Sequence, residues 1–152
     1  MNQRLAFLAD VAERRNVVRE KGVSNCIGTA LYLIGEQSED AGVYDEIWFG
    51  DENRGDHTKL VKSFKRLDSP ETGSLIAWVN ELDSRLEKGE IYHMGVVANQ
   101  EPLLVAYRRK VEGRFYRNSP FESANNGFGD KTNSVVFFMP PKLERAMKGG
   151  FE

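Results

Sequence analysis

Residues 91–110 read Ile91-Tyr92-His93-Met94-Gly95-Val96-Val97-Ala98, then Asn99-Gln100-Glu101-Pro102, then Leu103-Leu104-Val105-Ala106-Tyr107-Arg108-Arg109-Lys110. Two apolar runs rich in β-branched and aromatic residues flank four residues of turn chemistry, the pattern of a β-hairpin. The same strand character appears in Ser74 to Val79 and in Val135 to Met139, where Pro140-Pro141 ends it. Arg114 to Tyr116 is expected to continue the sheet. The N-terminal part of the chain has a different period. Leu5, Leu8, Val11 and Ala12 fall near helical spacing within residues 3–20, with Gly22 as a C-terminal cap. Ser24 to Ile34 reads as a second helix, capped by Ser24 or Asn25 and closed by Gly35. Its apolar stripe of Cys26, Ile27, Ala30, Leu31, Leu33 and Ile34 is wide, so this helix is expected to be mostly buried.

Residues 36–56 are rich in Gly, Asp, Glu and Asn around an apolar island of Ile47, Trp48 and Phe49, and read as a long loop. Asp56 can cap a helix over residues 57–67 with Leu60, Val61, Phe64 and Leu67 on one face, stopped by Ser69-Pro70. Asn80 to Glu90 is polar. Ser119 to Asp130 reads as a Gly/Asn/Ser/Pro loop, and residues 142–152 as at most a short helix. Helices first and antiparallel strands afterwards is the order of an α+β domain. One domain over residues 1–152, with its core between about 20 and 140, is the expected organisation, the second helix lying against the sheet.

The 152 residues are 40% hydrophobic and 29% charged, with a net charge of −2. The balanced charge argues against a nucleic-acid partner, since Arg14-Arg15 and Arg108-Arg109-Lys110 are short basic runs that read as solvated faces. No apolar run approaches the ~20 residues of a membrane span, so no membrane insertion is expected. Asp10 and Glu13 interrupt the apolar start before a signal-peptide core of ~7–15 residues can form. The chain as written is therefore expected to be cytoplasmic, with any export by a leaderless route. A single cysteine excludes an internal disulfide and a multi-cysteine zinc site. Asp51 to Asp56 has the look of a calcium loop, but Lys62 stands where the closing Glu would be. No metal and no cofactor is expected, and nothing in the sequence sets the oligomeric state.

A lone cysteine is ordinarily a small core hydrophobe. Cys26 is placed differently, in the first turn of a helix. Unpaired backbone N–H groups and the positive end of the macrodipole there favour a thiolate. The same N–H groups can hold an oxyanion. The chain has two histidines, and His57 sits in a polar stretch at a helix start. His93 lies in an apolar strand two residues from Gly95, whose missing side chain leaves room for another backbone or a ligand. Cys26 as nucleophile and His93 as base is the expected pair.

Asn25-Cys26-Ile27-Gly28 resembles the Asp/Asn-Cys-Ser-Gly motif at the nucleophile helix of the NlpC-type, papain-like cell-wall peptidases. Pro70-Glu71-Thr72-Gly73-Ser74-Leu75-Ile76-Ala77-Trp78 is similar to their Pro-x-x-Gly-Asp-Leu-Val-x-Phe/Trp strand, and His93-Met94-Gly95-Val96-Val97 to their His-Val-Gly-Ile-Tyr strand. The three occur in the family's order over about residues 20–110. The resemblance implies a papain-like α+β fold in which Cys26 attacks an amide of a cell-wall peptide and His93 carries the proton. Three positions depart from the pattern: Ser74 replaces Asp, Ile27 replaces Ser, and Val105-Ala106 stands where a polar residue usually orients the histidine. Hairpin geometry offers substitutes. Arg108 lies opposite His93 if the loop has four residues but has no acceptor, and Tyr107 shares the face if the loop is shorter by one, where its hydroxyl can accept a hydrogen bond from the ring. A main-chain carbonyl or a plain Cys/His dyad is a further alternative. Asn25 and Trp48 are the expected substrate contacts. The expected activity is hydrolysis of peptide or isopeptide amides, with a peptidoglycan fragment as one substrate class. Acyl transfer or protein deamidation would use the same Cys/His chemistry, and a papain-like shell without its third polar residue could serve as a binding module.

Overall fold

The computed structural model describes residues 2–18, 26–36, 60–80, 91–109, 114–127 and 133–148. In chain order the elements are α1 (Gln3–Val17), α2 (Cys26–Leu33), β1 (Lys65–Leu67), β2 (Leu75–Asn80), β3 (Ile91–Gln100), β4 (Leu103–Arg108), β5 (Phe115–Pro120), α3 (Phe121–Gly127), β6 (Asn133–Met139) and α4 (Pro141–Lys148). The hairpin read from residues 91–110 is present as β3 and β4, paired antiparallel. Its loop is Glu101-Pro102 alone, steadied by Asn99 Nδ2 donating to the Pro102 carbonyl at 2.8 Å. A register shift between Val97 and Asn99 takes up the difference from the longer loop suggested by the sequence.

The six strands form one open sheet in the order β1-β6-β2-β3-β4-β5. Every pairing in it is antiparallel. Along β2, Leu75, Ala77 and Val79 face one way and Ile76 and Trp78 the other, as the strand period requires. The first face carries the larger core, with Phe7 and Val11 of α1, Ala30, Leu31 and Leu33 of α2, and Leu143 of α4 packed on Met94, Val96 and Phe138. On the second face Ile76, Trp78, Val97, Val105 and Tyr107 meet Ala124 of α3. The expected α+β architecture, with α2 against an antiparallel sheet, is what the chain forms. None of the described helices is long and apolar enough to cross a membrane.

Local chemistry accounts for the helix ends. Asn2 caps α1 by accepting from Arg4 N at 2.7 Å. The helix stops at Val17, short of the expected residue 20, with Val18 turning to extended backbone. Gly35 closes α2 as expected: its φ is +83°, its N–H donates to Tyr32 O and the Glu36 N–H donates to Leu31 O, each at 3.0 Å. That is the paired 6→1 and 5→2 bonding of a Schellman end.

Two expectations are corrected. The helix expected over 57–67 does not reach its expected end: residues 57–59 lie outside the described residues, residues 60–62 are helical, and residues 65–67 are the strand β1. Ser63 and Phe64 donate backbone N–H to Leu60 and Val61 carbonyls at 3.1 and 2.9 Å, i→i+3 bonds that tighten and end the helix. Lys65, Arg66 and Leu67 then pair with Met139, Phe138 and Phe137, so tertiary pairing overrides the helical spacing of Leu67. The segment 119–130 is not all loop, since β5 runs to Pro120 and α3 follows. Ser119 and Pro120 pair with Val105 and Leu104. Phe121 and Ala124, three apart, turn inward over Trp78, with the Phe121 and Trp78 ring centroids 6.3 Å apart. Trp78 is fully buried and its Nε1 donates to Asn125 Oδ1 at 3.0 Å. Asn125→Ala would leave that N–H without its acceptor and is expected to cost about 1 kcal/mol in urea unfolding. An unchanged midpoint would show that the bond contributes nothing.

Candidate functional site

The site begins with two constraints on backbone. Cys26 is the first helical residue of α2, and α2 packs on β3 and β4. His93 is the third residue of β3, at an irregularity in the sheet: Trp78 pairs with His93, but Val79 pairs with Ile91. The extra residue is a β-bulge. Ile91 and Met94 both belong to the helix-side core, although strict alternation would put residues three apart on opposite faces. The bulge breaks that alternation, and His93 reaches the helix side with them. Its Nδ1 lies 3.8 Å from Cys26 Sγ.

This distance is within hydrogen-bond range for sulfur. The contact can be read as S–H to imidazole in the neutral pair or imidazolium N–H to thiolate in the ion pair. Cys26 is buried and His93 half-buried. A thiol at the start of α2 and an imidazole of β3 are thus brought together across the helix–sheet interface. An imidazole at this distance can take the proton of a thiol and make it a nucleophile.

Gly95 does leave room for a backbone, but on the other face of the sheet. A Cβ built there would lie 2.8 Å from Val105 Cγ1, 2.9 Å from Ala106 O and 3.1 Å from Tyr107 Cβ. The glycine serves the close approach of β3 and β4, and the bulge makes the room for the imidazole.

Tyr107 is placed apart from the pair. Its ring belongs to the second core, stacked on Tyr116 at 5.2 Å between centroids. Burial raises the Tyr107 hydroxyl above its ordinary pKa, and a hydrogen bond with Ser119 pulls against that rise. The structure therefore brings Cys26 and His93 together and leaves Tyr107 in the layer facing α3. Asn25 and Trp48 lie outside the described residues, as does the 51–56 segment. Ser74 closes its own turn: its Oγ donates to Glu71 O at 2.6 Å and accepts from Glu71 N at 3.2 Å.

The expectation that Arg108 belongs to a solvated basic face is corrected, and Thr29 is a residue the sequence did not single out. Arg108 is fully buried, and its Nε donates to Thr29 Oγ1 at 2.9 Å. The readable signal was parity, since Leu104, Ala106 and Arg108 share one face of β4 and Ala106 is in the helix-side core. Away from the pair, a cavity of about 680 Å³ runs along β5, lined by residues such as Val18, Phe115, Arg117 and Ser119, and neither Cys26 nor His93 borders it. No protein-family model matches the chain, and no curated protein or solved structure matches it.

Proposed function

We propose that the protein is a cysteine-dependent hydrolase of peptide or isopeptide amides, built on a papain-like fold of the NlpC type. The observation that carries the proposal is the 3.8 Å approach of Cys26 Sγ to His93 Nδ1, from a helix start to a bulged strand. His93 takes the thiol proton and Cys26 sulfur attacks the amide carbon, forming a C–S bond. As the C–N bond breaks, the imidazolium gives its proton to the leaving amine, and an acyl-thioester remains on Cys26. Water, deprotonated by His93, then adds to the thioester carbon and releases the acid and the thiol. Each step uses the one pair of side chains, and the net change is one amide and one water to one acid and one amine.

Peptides of the bacterial cell wall are the substrates supported by the resemblance of the Cys26, Ser74 and His93 segments to the NlpC-type motifs. Incubation with a panel of cell-wall peptides and acid quench, followed by intact-mass analysis, tests the chemistry. An adduct of the acyl fragment on Cys26 that decays to free acid is the expected result. An adduct that passes to an added amine would identify acyl transfer. A thiol that gives no adduct with any substrate and has the ordinary pKa of ~8.5 would rule out both and leave a binding module.

A further inference from the structure

β5 is the last strand of the sheet, and β4 is its one partner among the described residues. The cavity of about 680 Å³ that follows it is lined by residues 114–120 in unbroken succession, joined by Val18 after α1 and Ser123 of α3. Side chains alternate across a strand, so a cavity over one face would meet every second residue. This one meets Phe115 of the helix-side core and Tyr116 of the opposite layer alike. It therefore lies beside the edge of β5, where alternate N–H and C=O groups point away from β4. Residues 114–120 cover roughly 20 Å at the rise of a strand, a length matched by an extended chain and not by a compact small molecule.

The groove is basic. Arg114 and Arg117 line it, and no described acidic side chain does. Arg117 Nη2 donates to Asn16 O at 3.2 Å, while Arg15 Nη1 donates to Asn118 Oδ1 at 3.3 Å. Residues 15 and 16 are adjacent, as are 117 and 118, so the two bonds bring a pair of guanidinium groups close together on neutral acceptors. Burial lowers the pKa of Arg15, and the neighbouring charge of Arg117 lowers it further. Among the described residues neither guanidinium meets a carboxylate. A carboxylate entering the groove would offset their repulsion and accept charge-assisted hydrogen bonds.

Charge decides the occupant. A second copy pairing edge to edge about a two-fold axis would set the arginines of both copies near each other, which is destabilising. Arginines on an edge discourage self-pairing and leave the edge open to a strand of opposite sign. We propose that the groove along β5 is a docking site for an acidic peptide segment, which adds to the sheet as a further strand and sets a carboxylate against Arg117, whose charge Arg15 reinforces. Main-chain bonds along β5 supply affinity in this mode, and the guanidinium groups supply specificity. Neither Cys26 nor His93 borders the groove, so the site stands apart from the proposed hydrolysis.

The test is fluorescence anisotropy of the full chain with a labelled peptide of alternating valine and glutamate. Saturable binding that weakens as NaCl is added is expected, and the valine–lysine counterpart should not bind. The glutamate peptide N-methylated throughout keeps its charge and loses its main-chain donors, so its binding should be lost. Arg117→Glu is expected to weaken the glutamate peptide by about tenfold or more, and Arg117→Lys, which keeps the charge, much less. Arg15→Gln should weaken it several-fold and takes the place of Arg117→Glu if that variant does not fold. Cys26→Ala should bind as the wild type does. Absence of saturable binding, equal binding of the lysine peptide, or binding kept by the N-methylated peptide would overturn the proposal. Loss of binding in Cys26→Ala would move the peptide to the thiol and overturn it too. A dimer in sedimentation velocity that competes with the peptide would give the edge to a second copy instead.

Discussion

Replacing Cys26 by alanine is expected to reduce amide hydrolysis to background and to abolish the acyl adduct, with the fold intact. The group removed is one sulfur on a small side chain that is 8% exposed, so the cavity left behind is minor. Cys26→Ser keeps the shape and should behave similarly, because a hydroxyl beside an imidazole lacks the thiol's ready ionisation. His93→Ala is expected to lower kcat/KM by about 10²–10⁴-fold, the usual contribution of a positioned acid–base group. The two losses should not add: Cys26→Ala/His93→Ala is expected to match Cys26→Ala, because both side chains serve one covalent step. Hydrolysis undiminished in either single variant, in protein of wild-type circular dichroism, would sink the proposed mechanism.

The elements that carry this pair were legible because their signals are local. The alternation in β3 and β4 and the wide apolar stripe of α2 needed no knowledge of the rest of the chain. So did Gly35, whose positive φ is the conformation a helix end asks of glycine. Two features were not legible for a shared reason. The strand β1 exists because Lys65 to Leu67 find β6 across seventy or more residues of sequence, and the Leu60–Leu67 spacing taken alone is helical. The bulge that turns His93 toward Cys26 arises from the register between β2 and β3, which no window on β3 reports. Strict alternation would have placed His93 with Gly95, facing away from α2. The same misjudged register made Tyr107 look available to the imidazole, whereas the observed pairing sends its ring to Tyr116 and its hydroxyl to Ser119.

Gly95→Ala is expected to be strongly destabilising to this sheet. The new Cβ would meet a β-branched side chain, a backbone carbonyl oxygen and the root of a third side chain, at 2.8, 2.9 and 3.1 Å. Val105 cannot swing clear cheaply, because two heavy atoms on its Cβ restrict χ1. Ala106 O cannot move without moving β4, which is held by β3 on one side and β5 on the other. The strands must part, at a cost of about 3 kcal/mol, the upper end of ordinary overpacking. For a domain of this length that corresponds to a fall in Tm of roughly 6–12 °C. Pairing the change with Val105→Ala relieves the first contact and leaves the carbonyl, so the double variant should recover only part of the loss, a coupling a double-mutant cycle can read. The displacement also falls two residues from His93 on the same strand, so reactivity of the Cys26 thiol at 25 °C should drop even where the protein is fully folded. A Gly95→Ala protein with wild-type Tm and wild-type alkylation would mean that β3 and β4 are not packed this closely at Gly95.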